Sequence, residues 1–284
     1  CSQSLRGESL INRIEECFAK LKSERRAGLV TFTMMGDPDI ETSFEILKGL
    51  PDAGADIIEI GTPFTDPMAD GPVIQASGQR ALKAGITLRK TLDLVRRFRL
   101  INSQTPLVLM GYFNPIYIYG VEQFLIDAKS VGLDGVIVVD LPSEEDEELC
   151  IPALSKNLAF IRLIAPTTDS DRLPVVLNNS AGFVYYIAIA GITGAGAAES
   201  KSVAQSLDRI RTYTDLPICV GFGVKTPDQC AAIAKFADGV VVGSAIVGVI
   251  DKFVSSDNTS PEQCISAVHK FVHSLSRSIH AARK

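Results

Sequence analysis

Residues 58–72 read I-E-I-G-T-P-F-T-D-P-M-A-D-G-P and bring two carboxylates close in sequence. Glu59 stands in an apolar run with Ile57, Ile58 and Ile60, and Asp70 follows in a loop dense in Pro, Gly and Asp. A lone carboxylate in an apolar strand costs several kcal/mol unless it is paired or protonated. Chains accept that cost where chemistry needs an acid of shifted pKa. The alternative is that Glu59 points off its sheet into water. The three histidines, His269, His273 and His280, lie near the C-terminus at helical spacing. His269 and His273 have no third ligand nearby in sequence, so they read as residues of a surface helix rather than a metal site. The acid–base groups are therefore expected to be carboxylates or tyrosines.

Short apolar runs alternate with amphipathic stretches. The runs are 29–33, 56–60, 107–110, 135–139, 160–164, 184–188, 218–220 and 239–242. Each is nearly continuous in apolar residues and bounded by Gly, Pro or Asp, as parallel strands covered on both faces are. Helical periodicity falls at 40–50, 88–100 and 227–236, with a further helix at 8–22. Thr226-Pro227-Asp228-Gln229 and Ser260-Pro261-Glu262-Gln263 are both capping-box starts with a first-turn proline. Gly54-Ala55-Asp56, Gly132-Leu133-Asp134 and Phe236-Ala237-Asp238 repeat one device, in which a helix ends and a buried strand begins. Eight strand–helix units predict an α/β fold, a single (β/α)8 barrel with an extra N-terminal helix, as one domain over 1–284. Residues 1–10 read as a variable extension. A doubly wound sheet is the competing architecture, but Met34-Met35-Gly36-Asp37-Pro38 after the first strand is no dinucleotide fingerprint.

The 284 residues are 46% hydrophobic and carry a formal net charge of −5, which disfavours a nucleic-acid surface. No apolar run is long enough for a transmembrane helix. Cys1, Cys17, Cys150, Cys219, Cys230 and Cys264 form no C-x-x-C, and with no signal peptide evident they read as reduced thiols in a cytoplasmic setting.

In such a barrel the site lies at the C-terminal ends of the strands. There the chain places Glu59 and the 62–72 loop, Gly111-Tyr112-Phe113-Asn114-Pro115, Asp140-Leu141-Pro142, the 190–196 loop, Gly221-Phe222-Gly223 and Gly243-Ser244-Ala245. The last three loops are glycine-rich and uncharged. Backbone N–H groups and a helix N-terminus can hold a phosphate without Lys or Arg. Each glycine taken alone could simply make a tight turn. The long second and sixth loops read as lids over the mouth or as plain surface loops.

These motifs, in this order from about residue 14 onward, resemble the tryptophan synthase alpha subunit family. The resemblance implies retro-aldol cleavage of indole-3-glycerol phosphate to indole and glyceraldehyde 3-phosphate, a lyase reaction of tryptophan biosynthesis. It implies Glu59 as general acid/base, Asp70 on the indole N–H and Tyr185 beside the glycerol chain. Phe32, Met110, Tyr112 and Phe222 would line or flank the indole pocket. Gly194, Gly223, Gly243 and Ser244 would hold the phosphate, and Thr193 would meet Asp70 on loop closure. It implies a beta-subunit partner in an alpha2beta2 heterotetramer, touched by Thr65, Asp66, Pro67 and Met68. Pyridoxal phosphate would sit in that partner only, with no cofactor or metal in this chain. No lysine stands at the strand ends named above, which argues against a Schiff-base aldolase. Ala188-Ile189-Ala190 departs from the family's more polar stretch and could alter loop closure. A stand-alone lyase, a non-catalytic activating subunit and a sugar-phosphate isomerase remain as alternatives.

Overall fold

The computed structural model describes residues 12–188, 197–221, 223–256 and 260–283, with 197–200 described by backbone alone. The chain runs α1 (Arg13–Ser23), β1 (Gly28–Met34), α2 (Ile40–Gly49), β2 (Ile57–Gly61), α3 (Pro72–Lys83), α4 (Leu88–Arg99), β3 (Leu107–Gly111), α5 (Phe113–Tyr119), α6 (Val121–Ser130) and β4 (Gly135–Val138). It continues with α7 (Cys150–Ser155), β5 (Ala159–Phe160), β6 (Arg162–Ile164), α8 (Arg172–Leu177), β7 (Val184–Ile187), α9 (Ala197–Arg211), β8 (Ile218–Gly221), α10 (Pro227–Ala234), β9 (Gly239–Val242), α11 (Ser244–Val254) and α12 (Pro261–Ala281).

All strand pairs are parallel, in the order β5-β4-β3-β2-β1-β9-β8-β7-β6. The fifth predicted strand is thus split at Ile161. Its first half, β5, pairs with β4, and its second half, β6, pairs with β7. The strand hands its hydrogen bonds from one neighbour to the other, and the two ends of the sheet meet in it. The result is the eight-stave (β/α)8 barrel that the alternation predicts, with α1 as the additional N-terminal helix.

Side chains alternate across each strand. Val30, Ile57, Val108, Ile137, Ile161, Cys219 and Val241 form an inner cluster with Phe183, joined by Ile14, Phe18 and Leu21 of α1. Leu29, Ile58, Ile60, Leu109, Val220 and Val240 belong to the outer cluster, between strands and helices. Both capping boxes are formed, at Thr226 and at Ser260.

The repeated device that ends in Asp56, Asp134 and Asp238 has a physical basis. Asp56 accepts from the Leu29 N–H at 2.8 Å, Asp134 from Leu107 at 2.8 Å and Asp238 from Ile218 at 3.0 Å. Each carboxylate thereby satisfies an N–H at the start of the neighbouring strand, the first of β3 and β8 and the second of β1, and fixes where that pair begins. Each is also paired with arginine: Arg26 on Asp56, Arg99 and Arg13 on Asp134, and Arg211 on Asp238.

A second clamp ties the mouth together. Arg80 of α3 donates to the fully buried Asp37 at 2.6 and 2.9 Å and to Asp251 of α11 at 2.6 Å. It joins the end of β1 to α3 and α11, both of which border the cavity described below. His269, expected on a surface helix, instead packs between α12 and α2, with its Nε2 2.9 Å from the Ile46 carbonyl. Gly49 makes the room, since a Cβ there would collide with the ring. His273 is exposed. No helix among the described residues is long and apolar enough to cross a membrane.

Candidate active site

The two-residue period of β2 turns Ile58 and Ile60 to the helices and Ile57 and Glu59 inward. Glu59 does not reach solvent: it is 1% exposed, and its Oε1 has no hydrogen-bond partner among the described residues. Desolvation pushes its pKa up to about 8. It is therefore a neutral acid at pH 7, poised to give a proton away.

Glu59 opens onto a cavity of about 630 Å³, ample for a ligand of two rings and a short chain. Phe32, Asp70, Met110 and Tyr185 line it with Glu59, and Gly223, Gly243 and Ser244 line it on the β8 and β9 side. The carboxylates, the tyrosine and these phosphate-cradle candidates thus share one space.

Tyr185 stands on β7. Burial and the nearby Glu59 carboxylate both raise its hydroxyl pKa above the ordinary value, so it stays a neutral donor. The adjacent stave makes room for it. A Cβ at Gly221 would come within 2.5 Å of the Tyr185 hydroxyl oxygen and 2.8 Å of the Val241 Cβ.

Asp70 lies on the loop that runs from β2 into α3, just before the Gly71 N-cap and Pro72. Burial raises its pKa to about 6, against the nearby Tyr112 hydroxyl, which lowers it. Tyr112 sits behind this loop rather than on the cavity wall. Its hydroxyl accepts the Ala69 N–H at 3.0 Å, and its ring packs on Phe64 with centroids 5.3 Å apart. Burial in turn pushes the Tyr112 hydroxyl up to about 12. The two carboxylates thus differ in environment: Glu59 is buried and neutral, while Asp70 lies near the Tyr112 hydroxyl and ionises at lower pH.

On the opposite side, α11 starts at Ser244, and its first intrahelical bond runs from the Val247 N–H to the Gly243 carbonyl at 3.0 Å. The preceding N–H groups have no acceptor in the helix, and the helix dipole favours an anion there. Gly223 adopts φ +78°, where a side chain would be strained. At Gly243 a Cβ would crowd the Phe32 Cβ at 3.2 Å.

Asp66 and Pro67 lie on the outer part of the β2–α3 loop, where Thr65 bonds Asp66 at 2.6 Å and Met68 is 80% exposed. Gly194, Thr193 and Phe222 lie outside the described residues, as do Ile189 and Ala190; Ala188 is buried at the end of β7. Sequence reasoning passes over Val73, Ile74, Lys225, Lys252 and Phe271, which also line the cavity. Lys252 carries a usable signal, because it follows Ser244 by two four-residue steps and so shares its helix face.

A family model described as tryptophan synthase alpha chain matches residues 18–280. Among solved structures, tryptophan synthase subunit alpha from Legionella pneumophila str. Paris is 35% identical, with a TM-score of 0.86 over 95% of this chain and 98% of that one. The alpha chain from Legionella pneumophila subsp. pneumophila is 34% identical, also with a TM-score of 0.86, over 95% and 97%. A chain of Mycobacterium tuberculosis tryptophan synthase in its aminoacrylate-bound form is 30% identical, with a TM-score of 0.80 over 95% and 100%.

Proposed function

Because this chain belongs to the tryptophan synthase alpha chain family, a family of lyase-type enzymes in tryptophan biosynthesis, we propose that it performs the retro-aldol cleavage of indole-3-glycerol phosphate to indole and glyceraldehyde 3-phosphate. The observation that carries this reading is Glu59: a buried carboxyl, its Oε1 without a hydrogen-bond partner among the described residues, held neutral at the floor of a cavity that Asp70 and Tyr185 also line.

In this reading neutral Glu59 gives its proton to the indole ring carbon that bears the side chain. The ring becomes a cationic indolenine, and Asp70, ionised above about pH 6, accepts a hydrogen bond from the ring N–H and stabilises the charge. The Glu59 carboxylate then takes the proton of the adjacent glycerol hydroxyl. The hydroxyl oxygen's electrons form the aldehyde C=O, the carbon–carbon bond breaks, and its electron pair restores aromatic indole. Glu59 ends protonated, ready for another cycle. Tyr185 donates a hydrogen bond to the glycerol chain. Phe32 and Met110 pack on the indole, with Tyr112 supporting the wall from behind. Gly223, Gly243 and Ser244 bind the phosphate through N–H groups and the hydroxyl. Gly194, Phe222 and Thr193 keep the roles that the family resemblance implies.

Indole then passes to a beta subunit that carries pyridoxal phosphate, while this chain supplies proton transfer without a cofactor of its own. A docking face supports that reading. Met68, Tyr117 and Ile118 are 80%, 63% and 76% exposed on the connections after β2 and β3. Ile118 also lines a groove with Phe64, Asn114 and Pro115, and Asp66 and Pro67 lie on the same loop as Met68. The chain has no tryptophan, which suits an enzyme made when tryptophan is scarce. The setting is cytoplasmic.

The test is indole release from indole-3-glycerol phosphate, with and without a cognate beta subunit. Slow release that rises strongly with the partner supports both parts. Fast release alone indicates a stand-alone lyase, and binding without release indicates an activating subunit.

A further inference from the structure

Two lysines line the cavity, Lys225 beyond Gly223 and Lys252 on α11. No carboxylate lies within ion-pair distance of either among the described residues; the adjacent Asp251 is taken by Arg80. The chain as a whole carries −5, so two unneutralised cations at the mouth of one cavity are a local reversal of sign.

Their placement is directional. Ser244, Gly248 and Lys252 recur at four-residue steps along one face of α11, and a helical side chain leans toward the N-terminus. Lys252 therefore leans back toward Ser244, the start of the helix. Gly248 stands between them with open space where a Cβ would be, so it places no side chain between the lysine and the first N–H groups of α11. The axial separation of Lys252 from Ser244 is about 12 Å before the lysine's own reach is subtracted. That is too far for a phosphate at Ser244 to be held by contact, yet within the range over which charges act at moderate ionic strength. Lys225 approaches from the β8 side. Its N–H is fixed by Gln229 Oε1 at 2.7 Å, which anchors the backbone and leaves the side chain exposed.

We propose that Lys225 and Lys252 form a positively charged lip that draws the phosphate end of the substrate toward the uncharged backbone cradle and raises its affinity through their field. This rests on the reading of the substrate as a phosphate ester. The cradle gives geometry without charge, and the lysines give charge without geometry. Together they select for the dianionic end of the molecule and turn the uncharged ring toward Glu59.

The test is equilibrium titration of the full chain with glycerol phosphate and, separately, with indole, in Lys225→Gln, Lys252→Gln and the double variant. In the double variant at low salt, affinity for glycerol phosphate should fall roughly five-fold, and at about 0.5 M salt it should match the wild type. Indole affinity should not change, and Lys252→Arg with Lys225→Arg should restore glycerol phosphate binding. Wild-type affinity in the double variant at low salt overturns the proposal, as does a loss that salt does not erase or arginine does not rescue. Absence of glycerol phosphate binding in the wild type also overturns it. The lyase reading is judged separately, by indole release: charge-dependent binding without turnover removes that reading alone, and turnover without charge-dependent binding removes only the lip.

Discussion

Tyr112 holds the Asp70 loop from the neighbouring stave: its hydroxyl accepts the Ala69 N–H at 3.0 Å, one residue before Asp70, and its proximity lowers the Asp70 pKa. The nearby Tyr112 hydroxyl favours the ionised form of Asp70, against burial that disfavours it. In Tyr112→Phe burial acts alone, so the Asp70 pKa rises above about 6. In the mechanism proposed above Asp70 must be ionised, and the acidic limb of kcat/KM follows it. That limb should move to higher pH by about one unit, the size of a charge-assisted hydrogen bond, while the alkaline limb set by Glu59 stays in place. A pH–rate profile of both proteins measures this, and an unmoved acidic limb would show that Asp70 does not govern it.

Glu59→Gln keeps the shape of the side chain and removes the proton it donates. Turnover should fall by about 10²-fold or more, with glycerol phosphate binding retained. Stability offers a second readout. Glu59 ionises near 4.5 in an unfolded chain and near 8 in the folded one. Between those values the folded protein binds more protons, so its stability declines as pH rises through that window. The glutamine side chain carries no such dependence. The variant should therefore gain on the wild type toward pH 8.5, by an amount on the order of 5 kcal/mol, with the difference disappearing near pH 4. Urea midpoints across that range test it, and parallel curves would place Glu59 in contact with water.

Much of this architecture is legible in the amino-acid sequence. Glu59 stands out because a carboxylate in an apolar run is conspicuous, and the barrel because eight alternations leave few arrangements. The strand at 160–164 reads as continuous, since periodicity reports burial but not which neighbour takes each hydrogen bond. His269 reads as a surface residue because its partner, the space above Gly49, comes from a helix more than two hundred residues away in sequence. The aspartates of the repeated device read as punctuation, and their bonds to neighbouring strands emerge only with the register. Tyr112 is expected on or beside the indole pocket; its proximity to Asp70 is a property of two adjacent loops, which spacing alone does not encode.

Gly221 is the place where the barrel wall gives way to Tyr185. In Gly221→Ala the new methyl group would meet the Tyr185 hydroxyl at 2.5 Å and the Val241 Cβ at 2.8 Å. Tyrosine is rigid and Val241 belongs to the packed interior, so neither yields freely. Overpacking of this kind costs about 1–3 kcal/mol. Because Tyr185 also lines the cavity, kcat should drop together with stability. The double variant Gly221→Ala/Tyr185→Phe removes the hydroxyl that is struck and should recover part of the stability without recovering kcat. If the single variant matches the wild type in both respects, the close approach is not constraining.

Arg80 is the strut behind the phosphate side, and its two arms carry unlike loads. The arm to Asp37 reaches a fully buried carboxylate whose other side-chain partner among the described residues is Ser77. Arg80→Met strands that charge, and breaking a buried pair from one side costs about 3–5 kcal/mol. The double variant Arg80→Met/Asp37→Asn removes the stranded charge and should recover much of the loss, which a double-mutant cycle in urea would show. The arm to Asp251 is different, because that carboxylate is 48% exposed. Asp251→Asn should change stability by less than about 1 kcal/mol. It would, however, release α11 from α3, and α11 carries Ser244 and the open N–H groups. The expected signature is a raised KM for indole-3-glycerol phosphate with little change in stability, so that one arm reads out in folding and the other in binding. Equal behaviour of the two variants in both assays would mean that Arg80 braces the fold alone.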